Sequence, residues 1–509
     1  MSASVSTAAP LNRGMITVSV MLATVMQALD TTIANVALPH MQGSLSAAQD
    51  QISWVLTSYI VAAAIVTPLT GWLSGRFGRK RVFLISVGGF TVASMLCGAA
   101  TSLEQIVLFR LLQGVFGAAL VPLSQAVLLD INPREKHGSA MAIWGAGIMV
   151  GPILGPTLGG WLTDNYSWRW VFYINLPIGI LAFLGILAFV EETDSDRERP
   201  FDMFGFAFLS LAVGAFQLML DRGEQLDWFA SSEIVIEAAM AGIGLWVFIV
   251  HSASVRRPFV DLGLLKDRNF ITAVLFMFVT SGVMYASLAL LPPMLTMMGY
   301  PALTIGELMA PRGIATMICM IIVGRLIGRV DIRLLLTLGL GLVTLSLWEM
   351  AGYSPGMDDW PVIWAGLLQG AGLGFVFVPL STVAFSTLPP VLRAEGSGIF
   401  SLLRNIGGSI GISASVALLS QNTQVSHAEL GAHITRFAPA LRNPALNSFW
   451  SLDSTAGLAA LDRAVNAQAA MIAYINDFKM MMIVCLVAMP LVLLIRPVRH
   501  TPGAAAAME

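Results

Sequence analysis

Apolar residues occur along this chain in runs of about twenty, and short polar stretches separate the runs. A helix needs about 20 mainly apolar residues to cross the hydrocarbon core of a membrane, so each run predicts one membrane-spanning helix. The sequence contains fourteen such runs. They lie near residues 15–38, 54–73, 82–100, 105–128, 138–163, 170–190, 203–220, 234–251, 270–292, 304–325, 331–351, 361–384, 397–420 and 479–496.

The composition agrees with an all-α integral membrane protein. Of the 509 residues, 56% are hydrophobic and only 11% are charged, whereas a soluble protein carries about 25% charged residues. The net charge of −2 offers no basic surface for nucleic acid, so lipid is the expected environment and no nucleic-acid partner is expected. The first run follows Arg13 and contains Asp30, which indicates a retained helix rather than a cleaved signal peptide.

Basic residues indicate the orientation, because Lys and Arg in short loops resist translocation. With the N-terminus inside, 19 basic residues fall on the inner side of the fourteen spans and 6 on the outer side. The sequence therefore predicts that both termini face the cytoplasm.

An internal repeat divides the chain. Leu-Leu-Gln-Gly stands at 111–114 and again at 367–370, and Val-Pro-Leu-Ser at 121–124 and again at 378–381. Because the offset is 256 to 258 residues, the ninth span repeats the first. Parallel repeats are a common transporter architecture. We predict a six-helix half at 1–190, two inserted helices with their linkers at 191–269, and a second six-helix half at 270–509.

The outer connection at 421–478 is far longer than the others. Apolar residues at roughly helical spacing in 455–478 predict an amphipathic extension of the last span. Loops of this length are usually functional or disordered, so both a docking segment and a flexible spacer are consistent with it.

The fifth span carries glycines at four-residue spacing with two prolines among them. Glycines on one helix face allow another helix to approach closely, and prolines permit bending. The series predicts either a gating helix or an ordinary packing seam. It consists of Gly147, Gly151, Pro152, Gly155, Pro156, Gly159 and Gly160.

The tight loop after the second span is basic and glycine-containing. Its simplest role is to anchor the topology. Its functional role would be a latch in which guanidinium groups pair with carboxylates or cap helix ends. The residues that define it are Gly71, Arg76, Gly78, Arg79 and Lys80.

Ionisable residues inside membrane spans are costly and therefore candidate functional groups. Asp30 and Arg110 are predicted at similar depth, which makes them plausible partners. For Glu307 and Glu349, a carboxylate that reaches to the membrane surface is an equally good interpretation. The remaining candidates are Arg312, in the outer half of span ten, and Arg404, in span thirteen. For Arg404 the favoured interpretation is that it binds free backbone carbonyls beside the glycines of that span.

The sequence offers little for an enzyme. Residues 407–411 match G-x-S-x-G, but a nucleophile elbow needs a strand before the serine and this segment is an apolar helix. The sequence has neither a Walker motif nor H-E-x-x-H. We expect no cofactor and no metal, and an ion gradient is then the expected energy source.

Several residue runs together resemble the major facilitator superfamily, specifically its fourteen-span drug:proton antiporter branch of the EmrB/QacA type. The runs are Leu29–Pro39, the basic loop, Arg110 with Gln113 and Gly114, the span-five glycine series, Trp168–Trp170 with Asn175–Pro177, Leu220–Glu224 with Asp227 and Trp228, and Arg404–Ser409. The chain departs from the family at Gly75, where an acidic residue is usual, which puts a carboxylate latch in that loop in doubt.

The resemblance implies a major facilitator fold and proton-coupled efflux of hydrophobic or amphiphilic small molecules. It also implies a periplasmic adaptor protein and an outer-membrane channel as partners, with 421–478 as the docking segment. An uptake symporter or facilitator is the alternative function, and a membrane scaffold or intramembrane enzyme is a third.

The coupling hypothesis centres on Asp30. Burial in a low dielectric favours the protonated form of a carboxylic acid, and a nearby cation favours the ionised form. Asp30 is therefore the candidate proton carrier and Arg110 the group that sets proton release. The alternative is a fixed ion pair that only orients the first and fourth spans.

Overall fold

The structure, a computed structural model, describes residues 12–193, 195–198, 200–435, 450 and 452–495. Within these ranges the regular elements are all helices, apart from one isolated bridge between Ile327 and Val330. The predicted all-α class is therefore confirmed.

We number the apolar helical segments α1 to α14 in chain order. They are α1 Arg13–Ser44, α2 Trp54–Val66 with Leu69–Phe77, α3 Arg79–Ala99, α4 Leu103–Ile131, α5 His137–Asn165, α6 Trp170–Phe189, α7 Met203–Arg222, α8 Ser232–Ser254, α9 Arg268–Met297, α10 Ala302–Leu326, α11 Ile332–Met350, α12 Asp359–Ser386, α13 Arg393–Ala432 and α14 Thr455–Leu494.

In the described ranges, thirteen of these segments are each long and apolar enough to cross a membrane. The two parts of α2 are bent by 56° and make a fourteenth when they are counted as one span. The predicted number of spans agrees with this upper count.

The predicted outer ends of the last two spans and their long connection need correction. The segment predicted as a loop from 421 is helical to Ala432, and α14 begins at Thr455 rather than near 479. Each helix has 40 residues, or about 60 Å at 1.5 Å per residue, against about 30 Å of hydrocarbon. Hydropathy detects only the part of a helix that suits lipid, and these two helices continue beyond it because they pack on each other.

The predicted helix over 455–478 is confirmed as part of α14. Five basic residues that were used to predict the orientation lie outside the described residues. They are Arg199, Arg436, Arg442, Arg496 and Arg499.

The helices pack in two groups. In the N-terminal group, α1–α6, helix α1 packs on α5 and α6, and α4 packs on α2 and α3. In the C-terminal group, α9–α14, helix α12 packs on α10 and α11, and α13 packs on α9 and α14. Helices α7 and α8 pack mainly on each other.

Helix α7 contacts both groups. Gln217 donates a 3.0 Å hydrogen bond to the Ser409 hydroxyl, and the Ser413 hydroxyl donates a 2.6 Å bond to the Leu220 carbonyl. On the other side, Thr57 of α2 donates to the Asp221 carboxylate. The inserted pair therefore lies at a seam between the two groups.

The groups meet at the end of the molecule that carries Arg79 and Arg393, which we call the basic end. Ser397 of α13 donates a 2.7 Å hydrogen bond to Gln125 of α4, and Ser139 of α5 donates a 3.2 Å bond to the Gly324 carbonyl of α10. A Cβ atom on Gly324 would overlap α5. The basic end is thus closed by direct helix contacts.

Candidate functional site

The Asp30 carboxylate lies between α1, α4 and α6, and only 1% of the residue is exposed. Arg110 donates to one carboxylate oxygen at 2.7 Å. Gln113 and Asn175 each donate to the other oxygen at 2.8 Å. Three N–H donors match an ionised carboxylate, since a protonated acid would bring its own donor to one of these positions.

Arg110 is held as tightly as its partner. Its Nε donates to the Val55 carbonyl at 3.1 Å, and one Nη also donates to Gln113 at 2.8 Å. The guanidinium carbon lies 4.4 Å from the centre of the Tyr59 ring, within cation–π distance. Because both residues are 1% exposed and each neutralises the other, they form a buried ion pair in this conformation.

The expected proximity of Asp30 and Arg110 is found in the structure, while their role in coupling stays a prediction. Gln113 and Asn175 belong to runs that resemble the family but were not predicted to bind Asp30. Ser94 continues the network, because it accepts a 2.9 Å bond from Asn175. The sequence signal for all three is a polar side chain inside an apolar span.

Three glycines of α5 lie against α1. A Cβ atom on Gly151 would overlap the Ala28 carbonyl oxygen, and one on Gly155 would overlap Thr32. Thr32 also donates a 3.0 Å hydrogen bond to the Gly151 carbonyl. A Cβ atom on Gly159 would make a tight but not overlapping contact, 3.2 Å from Ile33. The glycine face is therefore a close-packed seam with the helix that carries Asp30.

The other members of the series differ. A Cβ on Gly147 would meet only the flexible end of Met21, and the nearest atom to one on Gly160 is 4.0 Å away. Pro152 is half-buried and Pro156 exposed. A gating role for this helix stays a prediction.

At the basic end, Asp130 at the end of α4 joins the two groups. Its carboxylate pairs with Arg79 of α3 and, at 3.0 Å, with Arg393 of α13. Gly75 stands where the family usually has an acidic residue, so the loop itself has no carboxylate at that position. Asp130 supplies a carboxylate from another helix, so an ionic contact across the groups exists without an acidic residue at 75.

The rest of the loop motif shapes the same surface. A Cβ on Gly71 would lie 2.6 Å from the Glu395 Cα, so α2 and α13 touch backbone to backbone. Gly78 has φ of +89°, a conformation that favours glycine. The Lys80 amide donates to Glu192 at 3.0 Å, and the Arg76 guanidinium carbon lies 5.4 Å from the centre of the Trp72 ring.

The remaining predicted charges are dispersed through the C-terminal group. Glu307 is exposed, and Glu349 is half-buried beside Lys479 in a surface groove of about 400 Å³. Arg312 is 5% exposed and donates to the Ser287 hydroxyl at 3.1 Å.

Arg404 lines a small cavity between the two groups. The cavity has a volume of about 20 Å³, and four methionines contribute to its wall. This volume accommodates about one water molecule. The Arg404 Nε has no hydrogen-bond partner among the described residues, so the interpretation of this residue as a carbonyl ligand does not hold for that atom.

One buried acid was missed by sequence reasoning. Asp477 of α14 is 1% exposed, and within the described ranges neither carboxylate oxygen accepts a hydrogen bond. It escaped notice because 421–478 was predicted to be a loop outside the membrane.

Comparison with known proteins extends the resemblance to most of the chain. The sequence profile described as Major Facilitator Superfamily matches residues 20–412. The chain is 39% identical over 427 residues to the multidrug export protein EmrB of Escherichia coli strain K12, which is 83% of each protein. It is 36% identical over 491 residues to the fatty acid resistance protein FarB of Neisseria gonorrhoeae, which is 96% of this chain and 97% of that protein.

A solved structure shows the same fold at low identity. The human organic anion transporter MFSD10 superposes with a TM-score of 0.59 over 93% of this chain and 99% of that one, at 15% identity. At this level of identity the likeness concerns the fold alone.

Proposed function

The chain belongs to the major facilitator superfamily, and we propose that it exports hydrophobic or amphiphilic small molecules, drugs among them, in exchange for protons. The similarity to multidrug export protein EmrB over 83% of both chains carries this proposal. The buried carboxylate of Asp30 supports the coupling part, because an ionisable group at this depth is expensive and is retained for a function.

We propose that the N-terminal and C-terminal groups are two six-helix halves that rock about the cavity. The basic end is closed in this structure by the α4–α13 and α5–α10 contacts. Export then requires these contacts to open so that substrate enters at the basic end, from the cytoplasm. The pairing of Asp130 with both Arg79 and Arg393 supports a latch at this point.

Asp30 is the proposed proton carrier. In the conformation described, three donors hold it as a carboxylate. Movement of α4 relative to α1 would withdraw Arg110 and leave a buried carboxylate, which then binds a proton to avoid an unpaired charge. Coupling follows because Asp30 cannot be neutralised by the proton and by Arg110 at once.

Everted vesicles with a panel of fluorescent hydrophobic cations and anions test the proposal. An acidic lumen should drive accumulation of dye, and collapse of the pH gradient should release it. Accumulation that stops at equal concentrations would indicate a facilitator, and movement of dye out of the lumen with protons would indicate an uptake symporter.

The chain is a multi-pass membrane protein, and we propose the inner membrane with both termini in the cytoplasm. The excess of basic residues on one side supports this orientation. Reporter fusions at 195 and 260 should both be cytoplasmic, and a fusion near 227 should be periplasmic. Fusions at 195 and 260 on opposite sides would exclude the inserted helix pair.

The protruding parts of α13 and α14 form the proposed docking site for a periplasmic adaptor protein that leads to an outer-membrane channel. The two helices pack on each other, and His427 contacts Asp462 at 3.1 Å between them. Shortening both helices by matched turns should abolish resistance in intact cells and spare transport in vesicles. Equal loss in both assays would mean that the extension serves folding or transport itself.

A further inference from the structure

The cage around Asp30 has a counterpart in the C-terminal group. Ser287 stands 257 positions after Asp30, and Gln369 stands 256 positions after Gln113, within the offset of the internal repeat. Gln369 donates to the Ser287 hydroxyl at 3.2 Å, as Gln113 donates to Asp30 at 2.8 Å. The two cages are therefore equivalent in position and in contact.

The arginine of the second cage comes from a different helix. Gly366 stands where the repeat places Arg110, and Arg312 stands 257 positions after Val55, whose carbonyl binds Arg110. A Cβ on Gly366 would lie 3.5 Å from the Arg312 Cβ, so the glycine leaves room for the arginine. Arg312 then donates to Ser287 at 3.1 Å, as Arg110 donates to Asp30.

The second cage lacks the carboxylate. Its acceptor is a neutral hydroxyl, and Arg312 is only 5% exposed. Within the described part of the chain, one Nη of Arg312 and the Gln369 side-chain oxygen have no hydrogen-bond partner. A buried guanidinium without an anion is costly, whereas the same group with a carboxylate forms a strong, often bidentate pair.

The cage lies directly behind the wall of the cavity. Arg312 donates to the Met284 carbonyl at 3.4 Å, and the Thr316 hydroxyl donates to the Arg312 carbonyl at 2.9 Å. Both Met284 and Thr316 line the cavity, together with Arg404. The cavity wall on this side is therefore positively charged and adaptable, because methionine repacks easily around apolar ligands.

We propose that the cage of Ser287, Arg312 and Gln369 binds the carboxylate of an anionic amphiphilic substrate, in the place that Asp30 occupies in the other half. This inference rests on the proposed export function and names the substrate class that the C-terminal half selects. The apolar body of the substrate lies against the methionines. The cavity holds about one water molecule in this conformation, so the body is admitted in a wider state of the transport cycle.

Binding to the purified full-length protein tests the inference without any pH gradient. The probes are 1-naphthoate and 1-naphthalenemethanol, which share one ring system and differ in charge, in chloride-free buffer. A hydrogen bond to a charged group is stronger than one between neutral groups, so the wild-type protein should bind naphthoate at least about tenfold more tightly than the alcohol.

Two variants should remove this preference by weakening the binding of naphthoate. Arg312→Gln removes the cation, and Ser287→Asp supplies a carboxylate from the protein itself. Arg325→Gln is the matched control, because it removes an exposed arginine of the same helix and should retain the preference. If Arg312→Gln does not purify as a monodisperse protein, Ser287→Asp gives the same test.

Equal affinity for the two probes in the wild-type protein, or a tenfold preference that persists in Arg312→Gln, would overturn the inference. Displacement of naphthoate by millimolar chloride would indicate a general anion site and overturn the assignment to substrate. If the wild-type protein preferred naphthoate but showed no transport driven by a pH gradient, the export mechanism would be wrong and the carboxylate site would still be supported.

Discussion

Asp30→Asn removes the carboxylate that Arg110, Gln113 and Asn175 bind, while nearly preserving the shape of the side chain. The amide cannot reproduce the native bonds. Both carboxylate oxygens accept from N–H groups, with Arg110 on one and Gln113 and Asn175 on the other. Whichever way the amide is oriented, its NH₂ group faces another donor, and Arg110 loses its counter-charge.

The expected cost is large because both partners are 1% exposed. Breaking one side of a buried ion pair costs about 3–5 kcal/mol, most of it from the charge left unpaired. Asp30→Asn combined with Arg110→Gln removes both charges. We expect the double variant to recover roughly 2–3 kcal/mol of the loss, near the upper end of interaction energies for residues in contact.

Two measurements separate folding from coupling. Thermal unfolding of the purified proteins reports the stability of each variant, with Asp164→Asn as the control, since Asp164 is an exposed carboxylate. Everted vesicles then report dye exchange without a gradient and dye accumulation with one. The double variant should fold and exchange dye, because its cavity is intact, yet fail to accumulate dye against a gradient.

Either of two outcomes would refute this reasoning. If the double variant accumulated dye as well as the wild-type protein, Asp30 would not carry the proton, and the pair would serve only to orient α1 and α4. If Asp30→Asn alone were as stable as the wild-type protein, Arg110 would have another way to satisfy its charge.

Further substitutions test other contacts. Gly151→Ala forces a Cβ into an α1 carbonyl and should cost about 1–3 kcal/mol by thermal unfolding, whereas Gly160→Ala, with 4.0 Å of clearance, should be neutral. Asp130→Asn removes a carboxylate shared by both halves, so spin-label distances across the basic end should shift toward the open state. The population of the open state should rise by up to about fivefold, because each partly exposed ion pair is worth at most about 1 kcal/mol. Glu192→Gln, whose carboxylate binds within one half, should leave those distances unchanged. Asp477→Leu removes a buried carboxylate that makes no hydrogen bond in the described chain, so the melting temperature of the variant should equal or exceed that of the wild-type protein. A markedly lower melting temperature would mean that Asp477 has a partner in another conformation.

The sequence alone determined the class, the number of apolar segments and the internal repeat. These depend on local quantities, because the transfer of each segment into lipid is set by its own side chains. The same reasoning placed Asp30 and Arg110 at one depth, since depth along a spanning helix follows from residue number at 1.5 Å per residue. The prediction of an amphipathic helix after 455 also rested on local periodicity.

Only the tertiary structure decided which polar groups meet. Asp130 pairs with both Arg79 and Arg393, and Arg393 lies 263 residues further along the chain than Asp130. Arg312, from α10, occupies in its half the place that Arg110, from α4, occupies in the other. No local pattern encodes such pairings, because they depend on how helices distant in sequence turn and approach. The full lengths of α13 and α14 were hidden for the same reason: outside the lipid, a helix persists where a neighbour packs on it, and hydropathy does not register that neighbour.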